Sequence, residues 1–305
     1  MMKYLIFGGA GFLGSHLVES LEGDITVVDD MSTVKYLELP PNVKLIKDRV
    51  ETFKTNEKFD FVIHLAARPS PEDYVQYPVE TALSNSLGTY NALEIARKSD
   101  ATFLYSSSSE IYGHAEIIPT PEDYWGKVNP IGVRSCYDES KRFSEALIMS
   151  YFREYGLDVR IQRPFNVYGP RLREDGSYGR VVSRFIYQAL KGEDITIFGD
   201  GNQTRAFLYV SDWTEATKKM LFTQGLKGEV FNVGSDKEVK IIDLAKMIIR
   251  LTNSNSKIKF LPPRADDPPR RAADITKAKK ILGWEPKVNL EEGLKRTIEW
   301  FKVRT

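Results

Sequence analysis

Residues 8–14 read GGAGFLG directly after the apolar run YLIF at 4–7. Gly8, Gly11 and Gly14 fall at three-residue spacing. A buried strand is expected over 4–7, and a helix over 12–21, where apolar residues recur at helical spacing up to Gly23. A strand that turns through glycines into a helix points to the opening of a βαβ unit. The glycines permit the tight turn, close helix–strand packing and close backbone approach to a pyrophosphate. The helix N-terminus offers amides and positive potential to the phosphates. The next strand, over 25–28, closes on Asp29 and Asp30. Asp29 stands where a carboxylate would bond an adenosine ribose hydroxyl, and the acidic pair would repel a 2′-phosphate. NAD is therefore expected rather than NADP. A glycine turn without a ligand is the plainer reading, but strand, helix and acidic strand end agree on a dinucleotide.

Further strands are expected over 43–46, 59–65, 102–105 and 159–162. Helices are expected over 79–97 and 135–155, the latter with Ser135 as N-cap and Gly156 as its stop. Strands alternating with helices imply an α/β fold, a Rossmann-type doubly wound parallel sheet. After Pro164 the pattern loosens. Short strands over 195–198, 207–210 and 230–233 mix with helices over 181–190, 211–223, 241–251, 275–282 and 290–301. The expected division is an NAD-binding domain over 1–165 and a smaller C-terminal substrate-binding lobe over 166–305, partly interleaved with it.

The chain has 305 residues, enough for a sizeable core. Lys+Arg number 43 and Asp+Glu 42, so neither nucleic acid nor a membrane surface is called for as the main partner. The single cysteine, Cys136, excludes an internal disulfide and suits a reducing compartment. The opening apolar run is too short for a secretion signal or a membrane span, so a soluble, cytoplasmic protein is expected.

Two further stretches carry chemistry. RSCYDESKR, 134–142, places Tyr137 and Lys141 four apart on one helical face. Such a pair arises often by chance, but an ammonium beside a tyrosine favours phenolate and lowers its pKa, which suits proton transfer. The serine run SSSSEIYG, 106–113, ends a strand at the carboxyl edge of the sheet, where ligands bind in this architecture. A polar loop is the alternative reading of those serines.

The spacing GxxGxxG, a serine and Tyr-x-x-x-Lys together resemble the short-chain dehydrogenase/reductase superfamily. The resemblance is to its extended branch, the NAD-dependent sugar-nucleotide epimerases, dehydratases and decarboxylases, and it covers essentially the whole chain. The stretches YWGKVNPIGVRSCYDESKR (124–142), PFNVYGPR (164–171), GRVVSRFI (179–186), GDGNQTRAFLYVSD (199–212) and DITKAKKILGWEPKVNLEEGLKRTIEWF (274–301) look most like UDP-glucuronate decarboxylases.

The resemblance implies roles. Ser108, Tyr137 and Lys141 match the redox triad. Lys141 would reach the nicotinamide ribose, and Ser108 the reacting hydroxyl. Gly8, Gly11, Phe12, Leu13, Gly14, Asp29, Asp30, Leu65, Ala66 and Ala67, with Tyr137 and Lys141, are assigned to NAD. Ser109, Asn166, Arg180, Phe198, Gln203 and Arg205 are assigned to the nucleotide-sugar, Phe198 stacking on uracil and Arg205 meeting the diphosphate. Arg271, with Arg270 as fallback, matches the arginine that contacts the sugar carboxylate. Glu110 matches a family glutamate that places a water or helps deliver a proton to C5. In 4,6-dehydratases an aspartate precedes it; here Ser109 does, which weighs against dehydration. Two departures touch the sugar end. Ala272 and Ala273 stand where the family has Lys-Pro or a similar pair, and the loop LREDGSYGR, 172–180, is longer than the family's.

The expected activity is NAD-dependent decarboxylation of UDP-glucuronic acid to UDP-xylose through a 4-keto intermediate. A 4-epimerase, a 4,6-dehydratase and a non-catalytic NAD sensor are the alternatives. His16, His64 and His114 lack metal-ligand spacing, so no metal is expected and packing roles are. Cys136 reads as small buried filler. The arginine-rich segments 171–184 and 264–271 are either solvated faces or, as the resemblance implies, an anion site. The stripe Phe143, Leu147, Tyr151 is core or a dimer seam, and family members dimerise through this helix, so a homodimer is expected.

Overall fold

A computed structural model describes residues 1–175, 180–265 and 267–304. Its central sheet holds seven strands, all parallel: β1 (Lys3–Phe7), β2 (Asp24–Asp29), β3 (Lys44–Lys47), β4 (Phe61–His64), β5 (Thr102–Ser106), β6 (Val159–Pro164) and β11 (Glu229–Val233). The spatial order is β11-β6-β5-β4-β1-β2-β3. The chain lays β1 to β3 outward on one side, then returns to build β4, β5, β6 and β11 on the other. The order reverses between β1 and β4, and the crevice at their carboxyl ends is where such sheets bind ligands.

The inner strands read as near-continuous apolar runs because both faces are covered. Alternate residues serve opposite faces. Tyr4, Ile6, Ile63 and Leu104 face a core shared with Leu17 and Val18 of α1 (Phe12–Ser20) and Trp213 and Met220 of α6 (Val210–Phe222). Leu5, Phe7, Val62, Phe103 and Tyr105 face a second core with Leu93 and Ala96 of α3 (Pro78–Ser99) and Ile148 of α4 (Ser135–Tyr155).

The second half supplies β7 (Val167–Tyr168), β8 (Ile195–Phe198), β9 (Thr204–Ala206), β10 (Leu208–Tyr209), β12 (Glu238–Lys240), β13 (Ile258–Leu261) and β14 (Arg270–Arg271). They pair as β7 with β10, β8 with β13, and β9 between β12 and β14. Helices α5 (Val181–Lys191), α7 (Ile241–Thr252) and α8 (Leu290–Lys302) cover them. Strand β11 lies well beyond residue 166 yet pairs with β6 in the main sheet. Among the described residues no helix is long and apolar enough to cross a membrane.

Several elements differ from expectation. Ser135 is not the N-cap of α4 but its first residue; Arg134 precedes it, and among the described residues no side chain caps the helix. Gly156 does end that helix in the left-handed conformation, at φ 66°. A short helix, α2 (Pro71–Gln76), precedes α3; Ser70 caps it by accepting from the Glu72 amide, with Pro71 at its first position. Ser109–Tyr112 forms a 3₁₀ turn rather than plain loop. The expected helix over 275–282 is largely a π-helical turn, Ala278–Leu282. Within the loop 172–180, residues 176–179, including Gly179 of the GRVVSRFI stretch, lie outside the described set.

Candidate active site

One cavity of about 390 Å³ runs from the glycine turn across the carboxyl edge of the sheet into the second half of the chain. Every residue assigned above to NAD, to the redox triad or to the nucleotide-sugar lines it. The fallback Arg270 does not; it is exposed and paired with Glu238.

The glycine turn is built for packing at two positions and for space at the third. Gly8 has φ 77°, and a Cβ there would lie 2.5 Å from the Ala66 amide nitrogen. A Cβ on Gly14 would come within 2.5 Å of Gly9 Cα. At Gly11, by contrast, the nearest atom to an added Cβ is the Gly8 carbonyl oxygen, at 3.5 Å. The protein itself leaves room for a side chain there, and that room belongs to the cavity. The site therefore fits a group that needs the backbone bare at the helix N-terminus, as a pyrophosphate does.

Asp29 is buried, and its carboxylate spans two loops. Oδ2 accepts from the Ala10 amide at 3.1 Å and Oδ1 from the Met31 amide at 2.9 Å. Burial raises its pKa, and those two bonds partly oppose the rise. Asp30 is more open and accepts from the Ser32 amide and hydroxyl at 2.8 and 2.6 Å. The carboxylate expected to meet a ribose thus also fixes the glycine turn.

On α4 the four-residue spacing puts Tyr137 and Lys141 on the buried face. The Lys141 ammonium donates to the Ser106 carbonyl at 2.7 Å and lies over the rings of Tyr105 and Tyr137, at 4.6 and 5.6 Å from their centroids. Burial lowers its pKa to about 7. Tyr137 departs from expectation. Burial pushes its phenol up to about 12, opposed by the Arg180 charge and a hydrogen bond with Ser108 rather than by Lys141. The Lys141 ammonium is directed to the Ser106 carbonyl. The Ser108 hydroxyl also accepts from the Glu110 amide at 3.1 Å, capping the 3₁₀ turn.

That turn aims Glu110 between two arginines. Arg134 donates to Oε2 at 2.7 Å and Arg271 to Oε2 at 3.1 Å, with a further Arg271 bond to Oε1. Burial opposes ionisation of Glu110, but the Arg271 and then the Arg134 charge outweigh it and hold the carboxyl well below the usual range. Glu110 is an anion at neutral pH. The adjoining Asp138 is pushed the other way, up to about 8, by burial and by the Glu110 charge. Among the described residues its Oδ1 has no hydrogen-bond partner. Two neighbouring carboxyls with separated pKa values are a common acid–base arrangement. Both line a small cavity of about 20 Å³ behind the site, with Arg134 and Arg271.

The nucleotide-sugar candidates divide. Arg271 and Arg205 stand opposite each other on β14 and β9. Arg205 pairs with Asp267 at 3.0 Å. Asn166 donates to the Ala206 carbonyl at 3.0 Å and Gln203 to the Phe198 carbonyl at 2.7 Å, so both brace the cavity wall. The Phe198 ring carries the Arg264 guanidinium at 4.2 Å and Arg184 at 5.1 Å. The arginine-rich segments split likewise. Arg171 is tied to Glu19 and Glu38, and Arg173 to Asp175, whereas Arg184 and Arg264 surround Phe198.

Residues 4–234 match the NAD dependent epimerase/dehydratase family. The chain belongs to that family. Among curated relatives, it is 45% identical over 308 residues to UDP-glucuronic acid decarboxylase 1 of Danio rerio, covering 98% of this chain and 72% of that protein. It is 44% identical over 312 residues to UDP-glucuronic acid decarboxylase 5 of Arabidopsis thaliana, covering 99% and 90%. Among solved structures it is similar to a UDP-glucose 4-epimerase from Thermotoga maritima with UDP-glucose, at TM-score 0.93, 35% identity and 99% coverage of both chains. It also resembles a UDP-glucuronic acid 4-epimerase from Bacillus cereus in complex with UDP-glucuronic acid and NAD, at TM-score 0.89, 29% identity and full coverage of both. As a member of the NAD dependent epimerase/dehydratase family the chain uses NAD, and its Gly11 cavity accounts for the fit.

Sequence reading missed two groups of this family member's site. Tyr74 stacks on Tyr137 with centroids 5.0 Å apart and planes 25° apart. It rides on α2, whose Ser-Pro-Glu start was a readable helix signal. Arg134 opens the stretch RSCYDESKR, but nothing in that stretch assigned it a place in the site. One minor reading is corrected as well. Cys136 is only half-buried. The stripe on α4 is mixed: Phe143 is exposed, while Tyr151 is buried and donates to Glu94 at 2.6 Å. His64 is fully buried between Phe7 and Tyr105, and His16 contacts the Pro170 carbonyl at 2.9 Å.

Proposed function

We propose that the protein decarboxylates UDP-glucuronic acid to UDP-xylose. The observation that carries the reading is Arg271: a buried guanidinium on the cavity wall, paired to Glu110 beside the Tyr137–Ser108 couple. A neutral hexose gives such a cation nothing to hold. The relatives named for this reaction, at 42–45% identity over nearly the whole chain, support it.

When bound, NAD supplies the hydride acceptor for sugar C4 at the start of the cycle and the hydride donor at its end. Its pyrophosphate would lie at the Gly8–Gly14 turn, and its ribose near Asp29. Tyr137, as the phenolate that the Ser108 hydrogen bond and the Arg180 charge favour, takes the O4 proton as the hydride leaves C4. The resulting ketone stands β to the C6 carboxylate. The C5–C6 bond then breaks, CO₂ departs, and the electron pair passes to C5 and onto O4. Tyr137 and Ser108 stabilise that oxygen. C5 takes a proton, and Tyr137 returns its own proton to O4 as the hydride comes back. One proton is consumed per CO₂ released. Glu110, held ionised, orients water for that delivery rather than acting as the acid itself. Arg271 positions the carboxylate without holding it against departure.

The test is to incubate the protein with NAD⁺ and UDP-glucuronic acid and follow the sugar nucleotide by mass spectrometry and proton NMR. A UDP-pentose with release of CO₂ is expected. Interconversion of UDP-glucose and UDP-galactose, with UDP-glucuronic acid unchanged, would make the protein a 4-epimerase, the reading favoured by the likeness to the Thermotoga maritima structure.

We also propose a cytoplasmic homodimer. Leu83, Leu87 and Tyr90 of α3 and Phe143 of α4 are exposed apolar residues on neighbouring helices. Sedimentation should give twice the chain mass, and Leu87→Glu should lower it to one.

A further inference from the structure

Among the described residues, the ion pairs at the sugar end of the cavity do not balance. Arg134 and Arg271 both pair with one carboxylate, Glu110. Arginine stays charged at any pH a protein meets, and Glu110 is held ionised, so the cluster carries two positive charges against one negative. Asp138 borders the cluster, but among the described residues no ion pair joins it to either arginine and its Oδ1 has no hydrogen-bond partner; burial and the Glu110 charge favour its neutral form. Asp267 is committed to Arg205. All three members of the cluster are largely sheltered, with side-chain exposures of 13, 15 and 8% for Arg134, Glu110 and Arg271. A surplus charge in such a setting is costly unless a ligand supplies the counter-ion.

We infer that Arg134 is a specificity-determining residue: with Arg271 and Glu110 it forms a site short of one negative charge, and a uronic acid carboxylate is the group that completes it. This rests on the decarboxylase reading. Glu110 stands in the place of that carboxylate in the free protein. It bridges both guanidiniums, and its Oε2 is shared between them. When substrate binds, its carboxylate takes Arg271 and Glu110 falls back on Arg134, which keeps it from being left as an unpaired buried anion. The cluster is then neutral. Loss of CO₂ empties the subsite again, so the neutral pentose binds without the charge match that selected the substrate. Arg134 is held for this by its place at the start of α4 and by the Tyr74 ring, 5.5 Å from its guanidinium.

The experiment compares affinities in a Tyr137→Phe background loaded with NAD, so that nothing turns over. UDP-glucuronic acid, UDP-glucose and UDP-xylose are titrated by calorimetry with Arg134 intact, with Arg134→Met and with Arg134→Lys. Arg134→Met should shrink the preference for UDP-glucuronic acid over the two neutral ligands by about 30-fold, the scale of a lost charge-assisted contact. Affinities for UDP-glucose and UDP-xylose should stay within roughly threefold, and Arg134→Lys should recover most of the preference. A parallel loss for all three ligands would reduce Arg134 to a structural prop and overturn the inference, as would an unchanged preference. Turnover of the wild-type protein on UDP-glucuronic acid separates the two readings. CO₂ release with an unchanged preference in Arg134→Met overturns the inference alone, whereas no CO₂ release overturns the decarboxylase reading and the inference with it.

Discussion

Arg271 and Arg205 face each other in register across the parallel pairing of β14 with β9, both 7% exposed, yet each leans on a different acid. Arg205 takes Asp267 and Arg271 takes Glu110. Adjacent positions on one sheet face are thereby given separate tasks. Arg205→Ala should weaken UDP itself by about 10- to 100-fold, the scale of one hydrogen bond to a charged group. Arg271→Ala should leave UDP within roughly threefold while lowering kcat/KM on UDP-glucuronic acid about 100-fold or more. Calorimetry with UDP and initial rates read the two effects separately.

Tyr137→Phe removes the hydroxyl proposed as the proton acceptor but keeps the ring that stacks on Tyr74. Turnover should fall by about 10³-fold or more, the range of a lost general acid–base group. The melting temperature and the NAD content should hardly move. If NAD content falls with activity, the hydroxyl serves binding rather than chemistry.

Lys141 is fully buried with its pKa lowered to about 7 by desolvation. Its unfolded value is about 10.4, so between those values the unfolded chain binds more protons and stability rises with pH. The folded state thus bears a penalty that is full below pH 7 and gone above about 10.4. Lys141→Met should raise the melting temperature of the NAD-free protein near pH 7, and the gain should vanish as pH approaches 10. Activity should be lost at every pH. A variant that melts lower at pH 7 would show that the bond to the Ser106 carbonyl outweighs the burial cost.

Gly11 and Gly14 separate binding from folding. Gly11→Ala adds a methyl only to the cavity and keeps an extended backbone, φ −74° and ψ −175°. The protein should fold and lose NAD on purification. Gly14→Ala drives a methyl into the backbone of Gly8 and Gly9 and should yield little folded protein. Circular dichroism and bound-NAD absorbance distinguish the pair.

Much of the site was legible because its parts lie on long, periodic elements. GGAGFLG announced β1, α1 and the turn between them, and the four-residue spacing placed Tyr137 with Lys141. What was hidden depends on short pieces. Strands β9 and β14 have three and two residues, too few for any period to show, yet their register alone sets Arg271 opposite Arg205. Arg134 looks like one more charge before a helix until the turn at 109–112 and β14 converge on it. The lysine's own partner was hidden for a related reason. The distance along a helix says that two side chains are neighbours, but not that the lysine is turned to the Ser106 carbonyl.

The return of β11 to the far side of β6 has a consequence for anyone dividing the gene. A fragment ending near residue 165 would strip β6 of its outer neighbour and lay bare a strand whose residues are buried along nearly its whole length. Open backbone on an apolar edge invites pairing with other copies. Such a fragment should come out of cells as inclusion bodies, and supplying residues 229–233 on a tether should return it to solution.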